Sequence, residues 1–124
     1  GFGRILTFAL GAKATMPVRA FGHSGPPTPA ITMNASAKTV HDGQLLYTAN
    51  CAQCHGLNVV AGPLPDLRYA TRQVHEQFEA IVLGGARASL GMPSFKDLLT
   101  ADQVKAIQAF VLSRSAADAK PAAK

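Results

Sequence analysis

The sequence has no tryptophan, only two cysteines, and aromatic residues at 6% of its 124 positions. Two cysteines exclude a disulfide-dense scaffold. So few aromatics leave a one-domain chain with a modest core, the kind of domain that needs a staple to be stable. Charge is also sparse: 15% of residues are charged and the formal net charge is +5. That mild basicity suits docking to an acidic protein surface. With no nucleic-acid-binding motif beside it, it gives no ground for a nucleic-acid partner. The apolar stretch at residues 5–12 is too short to cross a bilayer. The opening Gly1-Phe2-Gly3-Arg4 lacks an initiator Met and a signal-peptide n-region, so the chain is expected to be a mature or excised piece of a longer precursor.

Both cysteines fall in one pentapeptide, Cys51-Ala52-Gln53-Cys54-His55. Two thiols three residues apart, followed at once by histidine, form the attachment pattern of a c-type haem. The thiols add across the two porphyrin vinyl groups, and the histidine is placed under the iron. The competing readings are a thioredoxin-like redox pair, which wants a βαβ setting, and half of a zinc site, which wants two more ligands nearby. Neither context is visible. A covalent haem is also the missing staple, an apolar plate around which short helices pack. Haem attachment of this kind takes place outside the cytoplasm, so a bacterial periplasm is expected.

Three zones follow along the chain. Residues 1–20 contain the β-rich run Arg4-Ile5-Leu6-Thr7-Phe8-Ala9-Leu10, read as one strand and a turn that needs a sheet to join. Residues 21–37 hold Gly22, Gly25, Pro26, Pro27 and Pro29, a semi-rigid linker composition. Residues 38–116 carry helical signals, and 117–124 read as a frayed tail. Thr39 with Asp42 predicts an N-cap for a helix running to about Asn50, in which Gly43 marks a close approach by another helix. A second helix is predicted over residues 71–83, stopping at Gly84-Gly85. A third opens on the capping box Thr100-Ala101-Asp102-Gln103 and shows Val104, Ile107, Phe110 and Val111 as its apolar stripe.

A histidine-ligated iron has a sixth position, and its occupant separates electron transfer from ligand chemistry. Among Met16, Met33, Met92, His23, His41 and His75, Met92 is favoured, because Gly91 and Pro93 fix the backbone around it. The plainer role for Met92 is a core gap-filler. His75, His23 and His41 read as surface groups. His55 needs a backbone carbonyl for its second ring nitrogen, and the loop from Gly62 to Leu67 is the best source. Arg68 either hydrogen-bonds a haem propionate or forms a surface ion pair. Arg72, Arg87 and Lys96 form either a docking patch or plain solvated surface.

With these residues placed, the region from about 38 to 115 resembles a class I cytochrome c, through Cys51-x-x-Cys54-His55, Gly43, Tyr47, Pro65-x-Leu67, the Met92 loop and the last amphipathic helix. The resemblance implies an all-α fold in which the first and last helices cross at Gly43. It also implies a proline carbonyl accepting the ligand histidine's proton; Pro65 matches the pattern better than Pro63. Pro65-Asp66-Leu67-Arg68-Tyr69, Ala80-Ile81-Val82-Leu83-Gly84-Gly85 and Gly91-Met92-Pro93-Ser94-Phe95 are further similar to the C-terminal haem c domain of quinohaemoprotein alcohol dehydrogenases. In that family a β-propeller bearing pyrroloquinoline quinone (PQQ) precedes the haem domain. Residues 1–20 then resemble its last strand and 21–37 the linker. What this implies is a one-electron carrier with Cys51, Cys54, His55, Pro65, Leu67, Arg68 and Met92 about the haem, and His55 and Met92 on the iron. Electrons would come from a PQQ dehydrogenase domain, fused or docked, and pass to an external cytochrome, copper protein or membrane oxidase. No catalytic site lies in the chain itself. The alternatives are a free-standing monohaem carrier and, from a different class, a haem enzyme or gas sensor with an open iron site.

Overall fold

The first helix opens at Ser36, whose extended backbone (φ −68°, ψ 157°) lets its hydroxyl accept the Thr39 N–H at 3.0 Å. Helix α1 then spans Ala37–Asn50. The cap is therefore Ser36 and not Thr39, which already lies inside the first turn with its hydroxyl 2.9 Å from that of Ser36. Asp42 pairs instead with Lys38 one turn back, at 2.6 Å. The computed structural model describes Leu10, Gly11, Lys13, His23 and residues 25–60 and 64–119. The strand expected at residues 4–10, Leu10 apart, lies outside these, as do Met16, Gly62, Pro63 and the last five residues.

Four more helices follow: α2 Ala52–His55, α3 Arg72–Glu76, α4 Phe78–Val82 and α5 Ala101–Ala119, with single 3₁₀ turns at Leu67–Tyr69 and Ala88–Leu90. Among the described residues every regular element is helical, as an all-α cytochrome-like fold requires. The helix expected over residues 71–83 is two short ones. Thr71 caps the first, its hydroxyl 3.4 Å from the Val74 N–H, and the backbone leaves helical geometry at Gln77 (φ −97°, ψ 10°). Beyond α4, Gly85 takes φ +66°, a conformation open to glycine.

Helix α5 begins with a reciprocal capping box. Thr100 N–H donates to Gln103 Oε1 at 2.8 Å, and Gln103 N–H donates to Thr100 Oγ1 at 3.3 Å. It runs three residues beyond the expected end at 116, because Arg114 reaches Asp118 across its last turn at 3.2 Å. Val104, Ile107, Phe110 and Val111 are all buried and meet Tyr47, Val59 and Phe78 in one core.

The largest contact between elements is α1 on α5. Its closest point is Gly43: a Cβ built there would lie 1.9 Å from the Ala106 carbonyl oxygen and 2.5 Å from its carbon. Only a residue without a side chain fits, so the expected crossing at Gly43 is present. This crossing positions the site, since α1 leads directly into the cysteine motif.

Candidate functional site

Cys51 closes α1 and opens α2. Its N–H donates to Tyr47 O at 2.8 Å, while its own carbonyl accepts from Cys54 at 3.1 Å and His55 at 2.9 Å. The motif is thus a single helical turn, set at the end of a longer helix, with both cysteines as free thiols. Cys54 is exposed and Cys51 half-buried; burial and the neighbouring thiol push Cys51 up to about 11. His55 is half-buried, and burial lowers its pKa, which favours the neutral imidazole that a metal takes. Its Nδ1 is buried and, among the described residues, has no hydrogen-bond partner. A native structure rarely leaves such an atom unused.

The turn is held from below by Tyr47. Fully buried, tilted against Phe110 with ring centroids 5.3 Å apart, it donates its hydroxyl to Gly56 O at 2.8 Å. Burial pushes its phenol well above the ordinary range, with charge on Cys51 and Asp66 adding to the effect, so it remains a donor. Just beyond, buried Val59 holds φ +68°, where β-branched residues seldom sit, and its N–H reaches Gly56 O at 3.2 Å.

Met92 sits in a pinned loop. Gly91 adopts φ +92°, the Met92 N–H donates to Arg87 O at 3.2 Å, and the Phe95 N–H donates to Val82 O at 2.8 Å. Met92 is half-buried and packs on the core together with Cys51, Leu67, Leu83 and Phe95. The expected residues Cys51, Leu67 and Met92 thus each pack against the same buried core. Pro65 is exposed, and its carbonyl is not paired with His55 Nδ1.

Arg68 is committed elsewhere. Its Nε and Nη2 donate to Asp66 at 3.0 and 2.6 Å, and its Nη1 to Asp118 at 3.0 Å, with the guanidinium only 20% exposed. The ion pair expected of Arg68 is present, and it is half-buried where a surface pair was expected. His75 departs from its expected surface position: it is buried, and Gln108 donates to its carbonyl at 2.7 Å. Ser115, 2% exposed, likewise donates to Arg68 O at 2.8 Å. Neither Gln108 nor Ser115 is singled out by motif. Their signal is positional, since 104, 108, 111 and 115 fall on one face of α5 at helical spacing.

Free paired thiols, a buried imidazole nitrogen awaiting a partner, and an apolar surface bearing a thioether suit a covalent haem. They offer sulfur for the vinyl groups, nitrogen and sulfur for iron, and an apolar bed for the ring.

Comparison with known proteins supports the same cofactor. Residues 38–111 match the family model described as cytochrome c oxidase, cbb3-type, subunit III. The chain is 39% identical over 124 residues to quinohemoprotein alcohol dehydrogenase ADH IIB of Pseudomonas putida, covering 93% of this chain and 17% of that protein. It is 34% identical over 96 residues to cytochrome c6 of Rippkaea orientalis, covering 74% of this chain and 81% of that protein. The solved structure of quinohemoprotein alcohol dehydrogenase ADHIIG from Pseudomonas putida HK5 superposes with a TM-score of 0.69 at 36% identity, over 86% of this chain and 15% of that one. The chain thus spans about a sixth of the length of its quinohaemoprotein relatives.

Proposed function

This chain belongs to the cytochrome c family matched over residues 38–111, whose members carry covalent haem c, and we propose that it is the electron-transfer domain of a quinohaemoprotein alcohol dehydrogenase. When bound, the haem supplies a one-electron iron couple. The chain's residues fix and tune it. Cys51 and Cys54 anchor the ring by thioether bonds. His55 Nε2 ligates the iron, while Nδ1, buried and partnerless among the described residues, takes a carbonyl of the 62–67 loop, for which Pro65 fits the family pattern. Met92 supplies the sixth ligand, a neutral sulfur that favours the reduced state and raises the potential. Leu67 and Phe95 keep water from the ring. The observation that carries this reading is the one-turn helix presenting Cys51, Cys54 and a half-buried His55 whose Nδ1 is buried.

Electrons come, on this proposal, from PQQ in a preceding dehydrogenase domain and leave to an external acceptor in the periplasm. The 39% identity to ADH IIB, running through 93% of this chain, supports that setting. A second reading, a free-standing carrier, draws support from the match that spans 81% of cytochrome c6. Mass spectrometry of the source protein separates the two: a mature chain beginning at Gly1 refutes the fused domain. Absorption spectra of oxidised and reduced protein test the ligands. A methionine-to-iron charge-transfer band that vanishes in Met92→Ala is expected. A high-spin spectrum that responds to carbon monoxide overturns the carrier and points to an open-site haem protein.

A further inference from the structure

The proline-rich segment before α1 touches the cofactor loop at a specific place. The His23 ring stacks on Tyr69, with centroids 3.7 Å apart and planes within 12°. Tyr69 donates its hydroxyl to Gly25 O at 2.8 Å, across 44 residues of sequence. Pro27, two residues on, is buried. His23 also lies close enough to Asp66 for its charge to help hold that carboxylate low, behind the larger opposing effects of burial and Arg68. The linker thus makes a stacked, hydrogen-bonded attachment at the exposed His23 and Gly25, with Pro27 buried beside it. A free tether has no use for one.

Beneath this attachment is a mostly apolar cavity of about 180 Å³. One wall is the 65–71 loop, with Pro65 and Leu67; Val74 of α3 lines another side. Arg87, whose carbonyl accepts the Met92 N–H, lines it as well. His23 completes the lining. His23 of the segment therefore lines one cavity together with the loop expected to serve His55 and with Arg87, which holds the Met92 N–H.

We propose that His23, Gly25 and Pro27 form a strap which closes this cavity over the 65–71 loop, and that the closure sets the reduction potential of the bound haem. The inference rests on the haem reading of the site. Its physical basis is dielectric. Water stabilises the more highly charged ferric state, and the potential of a haem follows its burial and the hydrogen bonding of its ligands. The strap excludes water from one side of the cofactor bed and fixes the loop beneath it. His23 and Tyr69 are positioning residues here: they act through the loop and not on the iron.

The test is redox titration of haem-loaded wild type, His23→Ala, Tyr69→Phe, the double variant and His41→Ala, an exposed site on α1 serving as control. Limited proteolysis of residues 25–36 is followed in parallel. Both strap variants should lower the potential and speed cleavage, while keeping the methionine-to-iron band. The double variant, which loses both the ring stack and the hydroxyl bond to Gly25, should shift both readouts at least as far as His23→Ala alone. His41→Ala should match wild type. Strap variants with wild-type potential and wild-type cleavage overturn the strap, as does a potential shift of equal size in His41→Ala. A wild type that carries no covalent haem refutes the functional reading itself, a result distinct from failure of the strap.

Discussion

Replacing Gly43 by alanine adds one methyl group at the crossing of α1 and α5, and the structure sets its consequence. The new carbon would lie 1.9 Å from Ala106 O, whereas a relaxed C···O contact is roughly 3.3 Å. The helices must part by the difference, roughly 1.4 Å, because a carbonyl locked in a helix cannot rotate aside. A gap of only about 0.5–1 Å already forfeits a quarter to a half of each dispersion contact, so this one loses more along the seam, and Tyr47, Ile107 and Phe110 all lie in the core it crosses. Overpacking costs about 1–3 kcal/mol, here at the upper end, against a helix-propensity gain of about 1 kcal/mol from removing glycine. The net loss is about 2 kcal/mol. For a domain of this size that lowers the thermal midpoint by about 8–16 °C. The assay is thermal unfolding of haem-loaded Gly43→Ala and wild type by circular dichroism, with Gly43→Ser expected to lose more. An unchanged or raised midpoint in Gly43→Ala would refute the crossing geometry, because propensity alone predicts a rise.

Two further outcomes follow from the hydrogen bonds about the site. Tyr47→Phe deletes the donor to Gly56 O and should cost about 1–2 kcal/mol, read as a lower denaturant midpoint; an unchanged midpoint shows that water replaces the hydroxyl. Asp66 bears on acid stability. Burial by itself would raise its pKa, but the hydrogen bonds and charge of Arg68 outweigh burial and hold it below the usual carboxylate range. A depressed carboxylate stabilises the fold above its unfolded pKa of about 3.9, and that contribution is lost as pH falls through its folded value. Asp66→Asn should therefore be about 2 kcal/mol less stable near neutrality, with the gap to wild type closing below about pH 4. A gap constant with pH rules out the pair as its source.

The parts legible in the sequence are those that a local pattern encodes. The cysteine pentapeptide, the Thr100 capping box and the stripe Val104, Ile107, Phe110, Val111 each declare themselves within a few residues, and the capping box and the stripe fold as expected. Gly43 was readable because a glycine inside a good helical pattern costs propensity and needs a reason. The sequence does not single out Ser36 as the cap, since Thr39 offers an equally good hydroxyl and only the path of the preceding chain decides between them. The burial of His75 is hidden from the sequence for a deeper cause. Its burial depends on Gln108, 33 residues away, and a polar pair across two helices leaves no periodic trace. Arg68 is similar: Asp66 sits beside it in sequence, but Asp118 arrives from the last turn of α5.

These long-range polar contacts share one helix. The apolar face of α5 receives α1 at Gly43, and so locates the cysteine turn. Its polar positions hold the loops on the other side, Gln108 through the His75 carbonyl and Ser115 through that of Arg68, while Asp118 takes the Arg68 guanidinium. The haem-binding turn and the loop expected to serve His55 are thus registered against a single rigid element instead of against each other. Ligand geometry in such a design follows the seating of α5. On the proposed haem reading, a packing change at the crossing moves the cysteine turn relative to the 65–71 loop without altering Cys51, Cys54 or His55, so stability and potential should change together.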